Sequence, residues 1–370
     1  MKELSKKRVP TSDSRKGRSS VPRRPTVVGI DVSDKHLQVC EIDADDVVPG
    51  GRFVNTESKI RQQFEGKDPR RIIIEMGSNT RWIAELLKSL GHEVLIVDPR
   101  RIKLISGSLY KDDKVDALTL ALLGTEAPRL LKTVPLRDLE HQKALTLVRA
   151  RCCAVTGRTR VVNSIRGMLK PYGYRIPKSA TSTLVTYLSE NVDREILRLI
   201  APLAELLETF DEQIAHYDRE AKVLLPKLAP EAVRMCDIPG VGPISALYFA
   251  ALIGNPQRFE KARDVGAYLG LCRRRNDSGD YKSELRITKA GDRYMRALLV
   301  NCAAHIIGPF GKDSDLRTWG LKRMGGGTKV EKRKAKVALA RKLSVIMLTL
   351  WKTGQKYDRF HRPQDVAKAA

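Results

Sequence analysis

Four acidic residues lie where their carboxylates could share a divalent cation. Asp31 and Glu75 each end a short apolar run of strand type, and Asp113 and Asp116 are three residues apart. That spacing puts both aspartates on one face of a helix and leaves Asp112 off it. Magnesium takes oxygen ligands, usually a few carboxylates together with substrate phosphate. The four acids therefore predict a site for Mg²⁺ or Mn²⁺, where two ions about 3.5–4 Å apart could activate one oxygen and stabilise another.

Each acid also has a plainer interpretation. An aspartate after a strand is often a turn residue, and an acid on a helix is usually solvated. Two carboxylates directly after buried strands are harder to explain in this way, because the edge of a core is a costly place for a charge that binds nothing. Taken together, the four favour a site.

The overall charge indicates the substrate of such a site. Lys and Arg number 68 against 43 Asp and Glu in 370 residues, a net charge of +25. This excess predicts a polyanionic partner, DNA or RNA, over a basic ribosomal or chaperone-like protein or a membrane-surface binder. Acids that bind metal in so basic a chain point to cleavage or transfer of nucleic-acid phosphodiesters.

The six cysteines form no Cys-x-x-Cys pair and do not cluster with the six histidines. We therefore expect neither a structural zinc site nor a disulfide framework, which fits a reducing cytoplasm. We also expect no membrane span and no secretory signal, because the apolar runs are short and the N-terminus is basic without an apolar core.

The hydrophobic pattern predicts an α/β architecture with a mixed sheet, followed by long helices. The helix predicted at 81–90 has Trp82, Leu86, Leu87 and Leu90 on its apolar side. The helix predicted at 113–123 has Val115, Leu118 and Leu122 there. The predicted strands are Val27–Val32, Leu37–Ile42, Gly51–Val54, Ile72–Glu75 and Glu93–Val97.

We divide the chain into a disordered basic arm (1–25), an α/β domain (26–135), a helical segment (136–230), a mainly helical domain (231–360) and a tail (361–370). Within 181–224, where Pro202 is expected to open or kink a helix, one apolar stripe recurs every three or four residues. It predicts either a bundle helix or a coiled-coil-like dimerising hairpin. The stripe comprises Leu203, Leu206, Phe210, Ile214, Tyr217, Ala221 and Leu224.

Candidate nucleic-acid contacts lie in four places, although a basic run is often only a solvated face. The turn at Gly240 and Gly242 could present backbone N–H groups to a phosphate, or could simply join two helices tightly. The basic runs at 143–175 and 329–342, and the segment around Ser278, supply the others. The candidates are Arg158, Arg160, Arg166, Arg273, Arg274, Arg275, Lys289, Arg293, Lys332, Arg333 and Lys336.

Ser278 stands in the polar turn Asn-Asp-Ser-Gly, behind three arginines. From its residues alone this segment is a turn, because no His or Lys that could serve as a base is adjacent to the serine.

Over residues 26–360 the chain resembles the insertion-sequence one-ten family of transposases, with its eleven-eleven branch and the Piv-type DNA invertases. The motifs Gly-Ile-Asp-Val-Ser, Ile-Glu-Met-Gly-Ser and Asp-Lys-Val-Asp-Ala carry the four acids in the family's order. Ile-Pro-Gly-Val-Gly-Pro, Asp-Ser-Gly and Ile-Thr-Lys-Ala-Gly-Asp follow at 238–243, 277–279 and 287–292. The resemblance implies a RuvC-like ribonuclease-H fold with a catalytic Asp-Glu-Asp-Asp metal set, and a C-terminal transposase domain in which Ser278 is the catalytic serine.

The resemblance further implies that a non-coding bridge RNA guides recombination of donor and target double-stranded DNA. It implies composite active sites in a homodimer or homotetramer, which join the acids of one protomer to the serine of another. Three alternatives stay open: a Piv-like site-specific invertase, a metal nuclease of Holliday-junction-resolvase type that needs no serine, and a non-catalytic nucleic-acid-binding protein.

Overall fold

The computed structural model describes residues 25–43, 46–98, 113–131, 133–176, 181–274, 277–278, 281–282, 285–325 and 327–360. The chain divides into two compact units, 1–137 and 138–370. The first unit contains a five-stranded sheet in the order β3-β2-β1-β4-β5. Its strands are β1 (Val27–Val32), β2 (His36–Asp43), β3 (Asp46–Val54), β4 (Arg71–Glu75) and β5 (Glu93–Val97).

The sheet is mixed, as predicted. β2 runs antiparallel to β1 and β3, whereas β4 runs parallel to both β1 and β5. Because β1 is the central strand, both of its faces must be covered, and its residues alternate between two layers of helix. The predicted strands are confirmed, with β3 five residues longer than expected at its start.

One face of the sheet packs against α1 (Glu57–Phe64) and α2 (Thr80–Ser89) in a mainly apolar core. Helix α1 was not predicted, because its eight residues bury only Ile60 and Phe64. The prediction for Trp82 is wrong, since its side chain is 37% exposed. The prediction is confirmed at Leu86 and Leu87, which are buried together with Ile83 and Ala84.

The other face packs against α3 (Asp113–Glu126). A Cβ on Gly29 of β1 would overlap the carbonyl oxygen of Ala117, so the helix backbone lies directly on the strand. Such a close approach selects small residues, and α3 accordingly buries Ala117, Ala121 and Gly124 along with Leu120. The predicted apolar face of this helix is therefore wrong at Val115 and Leu122, which are exposed, and correct at Leu118, which packs partly buried against the core.

The second unit begins with two long helices, α4 (Leu139–Leu169) and α6 (Arg194–Leu228), with α5 (Thr181–Asn191) between them in sequence. Helix α6 begins at Arg194 behind the N-cap Asp193, so the prediction that Pro202 opens it is wrong, and this proline lies inside the helix. The predicted stripe on α6 is correct at Ile214 and Ala221, which are buried, and wrong at Leu206, which is exposed next to the buried Leu207.

The rest of the second unit packs around α7, which buries every residue from Ser245 to Ile253. Its helices are α7 (Pro243–Ile253), α8 (Val265–Tyr268), α9 (Arg293–Ile306), α10 (Asp315–Met324) and α11 (Lys329–Thr353). The ends of α4 and α6 join the same apolar core. Among the described residues, no helix is both long and apolar enough to cross a membrane.

Candidate active site and nucleic-acid interface

Asp31 and Glu75 occupy equivalent positions on neighbouring parallel strands. Ile30 of β1 pairs with Ile74 of β4, so the next residue of each strand falls side by side. Both side chains are half-buried. Because residues alternate across a strand, both point to the same face as Gly29, which is the face that α3 covers. The pairing of β1 with β4 therefore brings the two acids side by side on one face of the sheet.

The first turn of α3 lies at the same end of the sheet. A Cβ on Gly124, near the end of α3, would meet Val27 and Ile73 at 2.7 and 2.8 Å, whereas Ala117 lies over Gly29. The helix therefore runs opposite to β1, and its start extends past Gly29 toward Asp31. Asp116 is half-buried there and Asp113 is exposed, both in the first helical turn. Asp112 lies outside the described residues.

The donor set suits a hard cation in chemical type, because it consists of carboxylates only. Within the described parts of the chain, however, no three His, Cys, Asp or Glu side chains are grouped as ligands of one ion. The acids thus share one end of the sheet without forming a closed cage. Magnesium commonly uses one or two carboxylates with water and substrate phosphate, so this arrangement fits it in kind. Metal binding stays a prediction.

Sequence reasoning missed one polar residue at this end of the sheet. Gln38 of β2 pairs directly with Asp31, so the two side chains lie on one face of the sheet. Its Nε2 donates to the carbonyl oxygen of Gly51 at 3.2 Å, which orients the amide along the edge. The register of the first hairpin, read from its turn at residues 33–35, could have identified this neighbour.

Ser278 lies on a short hairpin whose base is held by backbone hydrogen bonds. Strand β6 (Asp277–Ser278) pairs with β7 (Tyr281–Lys282), with Ser278 opposite Tyr281. Below them, Arg274 N donates to Arg286 O at 3.0 Å, and Thr288 N donates to Cys272 O at 2.9 Å. Asp277 and Ser278 of the predicted turn therefore lie in a paired strand, whereas Asn276 and Gly279 lie outside the described residues.

Arg296 of α9 braces the lower end of this ladder. Its Nη1 donates to the carbonyl oxygens of Leu269, Ala290 and Gly291 at 3.2, 2.8 and 3.0 Å. Between these segments Lys289 adopts φ +56°, a left-handed conformation that is uncommon for a residue with a side chain. Sequence reasoning missed Arg296, although it stands four residues after the Ala-Gly-Asp motif.

Asp292 ends that motif and caps α9 through Met295 N at 2.8 Å. Its second carboxylate oxygen accepts a hydrogen bond from Tyr248 Oη at 3.1 Å, and Arg149 Nη2 of α4 lies 3.7 Å from the same oxygen. Burial raises the pKa of Tyr248, so its phenol stays protonated as a donor. This network ties α4, α7 and α9 together at the start of α9.

The candidate nucleic-acid residues on α4 have unequal surroundings. Arg158 forms an ion pair with Asp211 of α6, and the neighbouring Arg151 pairs with Asp218 at 2.6 Å. Arg166 is half-buried. Arg160 is exposed and forms no ion pair with another described residue.

The candidates nearer the C-terminus are more open. Arg273, Arg274, Lys289 and Arg293 are exposed, whereas Arg275 lies outside the described residues. On α11, Lys332 and Arg333 are exposed and Lys336 is half-exposed. Within the described chain, none of these three forms an ion pair.

The Gly240–Gly242 turn joins a 3₁₀ helix (Pro230–Asp237) to α7. Gly240 adopts φ +91°, which favours glycine. The N–H groups of Gly240 and Gly242 donate to no other described residue, as a phosphate-binding turn requires.

Two family models match the chain. Residues 28–173 match a model described as a transposase of the DEDD_Tnp_IS110 type, and residues 232–315 match one described as Transposase IS116/IS110/IS902 family. The first model includes the four acids, and the second includes the Gly240 turn and the Ser278 hairpin. The chain belongs to the IS110/IS116/IS902 transposase family.

Three relatives show the extent of the similarity. The putative transposase y4qE of Sinorhizobium fredii is 31% identical over 78% of this chain and 73% of its own length. A probable family 20 transposase of Pseudomonas aeruginosa is 28% identical over 87% and 96%. The pilin gene-inverting protein of Moraxella bovis is 25% identical over 90% and 98%. The chain is thus a transposase-family protein, and this family membership indicates an enzyme that cleaves and rejoins DNA.

Proposed function

We propose that this transposase recombines donor and target DNA through a serine nucleophile, with metal-binding acids and a non-coding guide RNA. One observation carries the catalytic part. Asp31 and Glu75 lie side by side at the end of the sheet toward which the first turn of α3 extends. The mixed sheet and these acids support the RuvC-like assignment that the family resemblance implies.

The acids of one unit and the serine of the other have separate roles in this proposal. Asp31, Glu75, Asp113 and Asp116 would hold Mg²⁺ or Mn²⁺, which supplies charge stabilisation at the scissile phosphate. Ser278 Oγ attacks phosphorus and loses its proton. The bridging oxygen of the broken DNA strand departs and takes up a proton, leaving a serine phosphodiester. Attack by a new strand end reverses this step, so that the number of phosphodiester bonds is conserved.

Exposed cations around the hairpin suit the negative charge at the phosphate. Arg274 lies in the ladder that precedes Ser278, Lys289 follows that ladder, and Arg293 begins α9; all three are exposed. They can hold the DNA backbone while the serine attacks, because contacts to phosphate fix position without reading sequence. Sequence choice then falls to base pairing with the guide RNA, as in other RNA-guided systems.

The central test uses matched single substitutions in an excision and insertion assay. We expect Ser278→Ala and Asp31→Asn each to lower recombination by at least about 10³-fold, since catalytic groups of this kind act as a unit. Asp46→Asn on the edge strand β3 is the control and should retain activity. Wild-type recombination by Ser278→Ala would exclude the serine mechanism.

A trapped covalent adduct separates the main alternative. A metal nuclease of Holliday-junction-resolvase type needs the acids but makes no protein–DNA bond. We expect denaturing gels of wild-type reactions to show labelled DNA linked to the protein, and Ser278→Ala to show none. Cleavage by Ser278→Ala without an adduct would favour the nuclease.

A site-specific invertase is the second candidate, favoured by the similarity to the pilin gene-inverting protein. Sequencing of RNA that co-purifies with the chain distinguishes the two proposals. One abundant structured RNA with segments complementary to donor and target supports guidance, whereas activity that survives ribonuclease treatment favours the invertase.

Composite active sites require an oligomer, a homodimer or homotetramer. The apolar stripe of α6 no longer argues for one, because α6 packs on α4 within the same chain. Complementation tests the proposal: mixed Ser278→Ala and Asp31→Asn proteins should regain activity if one protomer supplies the acids and another the serine.

A further inference from the structure

Phe310 is the most exposed large apolar side chain among the described residues, at 84%. It stands in the turn after α9, and that turn is firmly braced. Arg317 of α10 donates from Nη1 to the carbonyl oxygens of Ile306 and Gly308 at 2.5 and 2.6 Å. Gly311 N also donates to Gly308 O at 3.2 Å. The turn therefore holds an unpacked aromatic ring in water.

A cavity of about 210 Å³ lies between this turn and the Gly240 turn. It is smaller than the pockets of about 300–1,000 Å³ that enclose drug-sized ligands, so it suits one projecting group of a larger partner. We call it the Phe310 cleft. Its lining includes Gly240, Asp237 and Phe310 together with three basic side chains, His305, Lys312 and Arg359.

The lining indicates the chemistry of that partner. Three basic residues and one acid favour an anion over an apolar peptide. An exposed aromatic ring beside Lys and Arg is the combination that binds unpaired nucleotides, since the base stacks on the ring and the cations hold phosphate. Bases inside a duplex are already stacked and their faces are unavailable to a protein ring.

We propose that the Phe310 cleft binds an unpaired nucleotide, with the base stacked on Phe310 and the adjoining phosphate bound by Lys312 and Arg359. The free N–H groups of Gly240 and Gly242 lie on the turn at one side of the cleft and can donate to the same strand. The proposal rests on the proposed function only in that the chain handles opened DNA or RNA strands.

The test compares two single strands of about 12 nucleotides, a length within the usual range of single-strand sites. One is oligo-dT, and the other has the same backbone with every base removed. Using the full chain, we expect Phe310→Ala to weaken oligo-dT binding about tenfold and to leave the abasic strand unchanged. Leu199→Ala on α6, where the side chain is 74% exposed, is the control and should alter neither.

Two further substitutions of Phe310 identify what the ring does. Phe310→Trp should restore oligo-dT binding, because an indole stacks at least as well as a phenyl ring. Phe310→Leu should bind as weakly as Phe310→Ala. If the leucine variant binds like the wild type, the ring is a general apolar contact for a protein partner, and the proposal is overturned.

The cations give the complementary result. Lys312→Gln with Arg359→Gln should weaken oligo-dT and the abasic strand equally, and should reduce the salt dependence of binding by about two phosphate contacts. An oligo-rU arm measured in parallel distinguishes RNA from DNA as the source, since only the preferred strand should show the full effect of Phe310→Ala. Equal losses on the base-bearing and abasic strands with Phe310→Ala, or no oligo-dT binding by the wild type at low salt, would contradict the proposal.

This measurement is independent of the catalytic assignment. Ser278→Ala should bind oligo-dT like the wild type, because strand binding needs neither the serine nor metal. Failure of the serine mechanism would therefore leave the result at the Phe310 cleft unchanged, and failure of the cleft would leave adduct formation by Ser278 intact.

Discussion

Helices α4 and α11 carry similar runs of Lys and Arg, and the two runs meet different surroundings. Within its own sequence each helix has a single acid, Glu140 in α4 and Glu331 in α11. Neither acid distinguishes them, since Glu140 pairs with Lys143 and Glu331 forms a capping box with Thr328. The difference comes from the element that each helix faces.

Helix α4 faces α6, which supplies acids in matching register. Arg151 pairs with Asp218 and Arg158 with Asp211, so a step of seven residues forward on α4 is a step of seven back on α6. This is the pairing expected of an antiparallel hairpin. The arginines of this face therefore join two helices and are poorly placed to bind a polyanion.

Helix α11 faces its apolar side inward and its cations outward. Ala335, Leu339 and Ala340 are buried, whereas Lys332 and Arg333 are exposed. Contacts of this open kind release counterions when they meet phosphate, and they dominate non-specific affinity. Whether the cations of a basic helix can bind nucleic acid therefore depends on the charges of the helix that packs against it.

The first prediction, for which we expect the greatest loss, concerns the exposed cations of α11. Lys332→Gln, Arg333→Gln and Lys336→Gln together should weaken binding to duplex DNA about 30-fold at physiological salt and lower the salt slope by about three. Arg151→Gln with Arg158→Gln is the matched control on α4 and should change affinity less than about threefold. Titrations at several salt concentrations measure both quantities, and equal losses in the two variants would remove the distinction.

The second prediction concerns the packing of α4 against α6 at Gly157. A Cβ on Gly157 would lie 2.7 Å from Phe210 Cζ of α6, whereas a Cβ on Gly167 of the same helix meets nothing within 4 Å. We expect Gly157→Ala to destabilise the protein by about 1–2 kcal/mol through overpacking. Gly167→Ala should stabilise it by about 0.5–1 kcal/mol, because alanine favours the helix. Urea unfolding gives both values, and stabilisation by both substitutions would mean that α6 does not pack there.

Much of the first unit was predictable because its signals are local. Most of the predicted strands are short runs dominated by apolar residues, and the central strand must be buried on both faces. The inward face of α3 was not predictable in this way, because Gly29 brings the helix so close that Ala117 and Ala121 are buried in place of Val115 and Leu122. That selection depends on a contact between residues about 90 positions apart.

The candidate site divides along the same line. The positions of Asp31 and Glu75 followed from strand ends. Arg296, by contrast, acts through contacts with distant loops, and Phe310 lines a cleft with the Gly240 turn only in the folded chain. Similarly, the fate of Arg158 depends on Asp211, some 50 residues further along the chain. The spacing of seven residues, from Arg151 to Arg158 and from Asp211 to Asp218, is visible in the sequence. It indicates ion pairs only once α4 and α6 are known to pack antiparallel.

A third prediction, with a smaller change in stability, concerns the ion pair between α4 and α6. The Arg158–Asp211 pair is partly exposed, so Arg158→Met should cost only about 0.5 kcal/mol of stability. Exchanging the charges, Arg158→Asp with Asp211→Arg, should recover most of what either reversal alone loses. Unfolding of the four proteins completes a double-mutant cycle, and additive losses would show that the two residues do not interact.

The last prediction concerns solvent access on α4 and α11. It is measured by the rate at which a thiol reagent alkylates a cysteine on each helix. Cys153 is exposed on α4, and Lys329→Cys places a thiol on the open face of α11. Burial, with a smaller effect of nearby Asp237, raises the pKa of Cys236 to about 11, so at about pH 8 that thiol stays protonated and reacts slowly. Adding duplex DNA should slow alkylation at position 329 several-fold and change Cys153 by less than about twofold, because the DNA covers α11. Protection of Cys153 instead would place the duplex on α4, near Arg160. It would mean that α4, and not α11, is the helix that binds DNA.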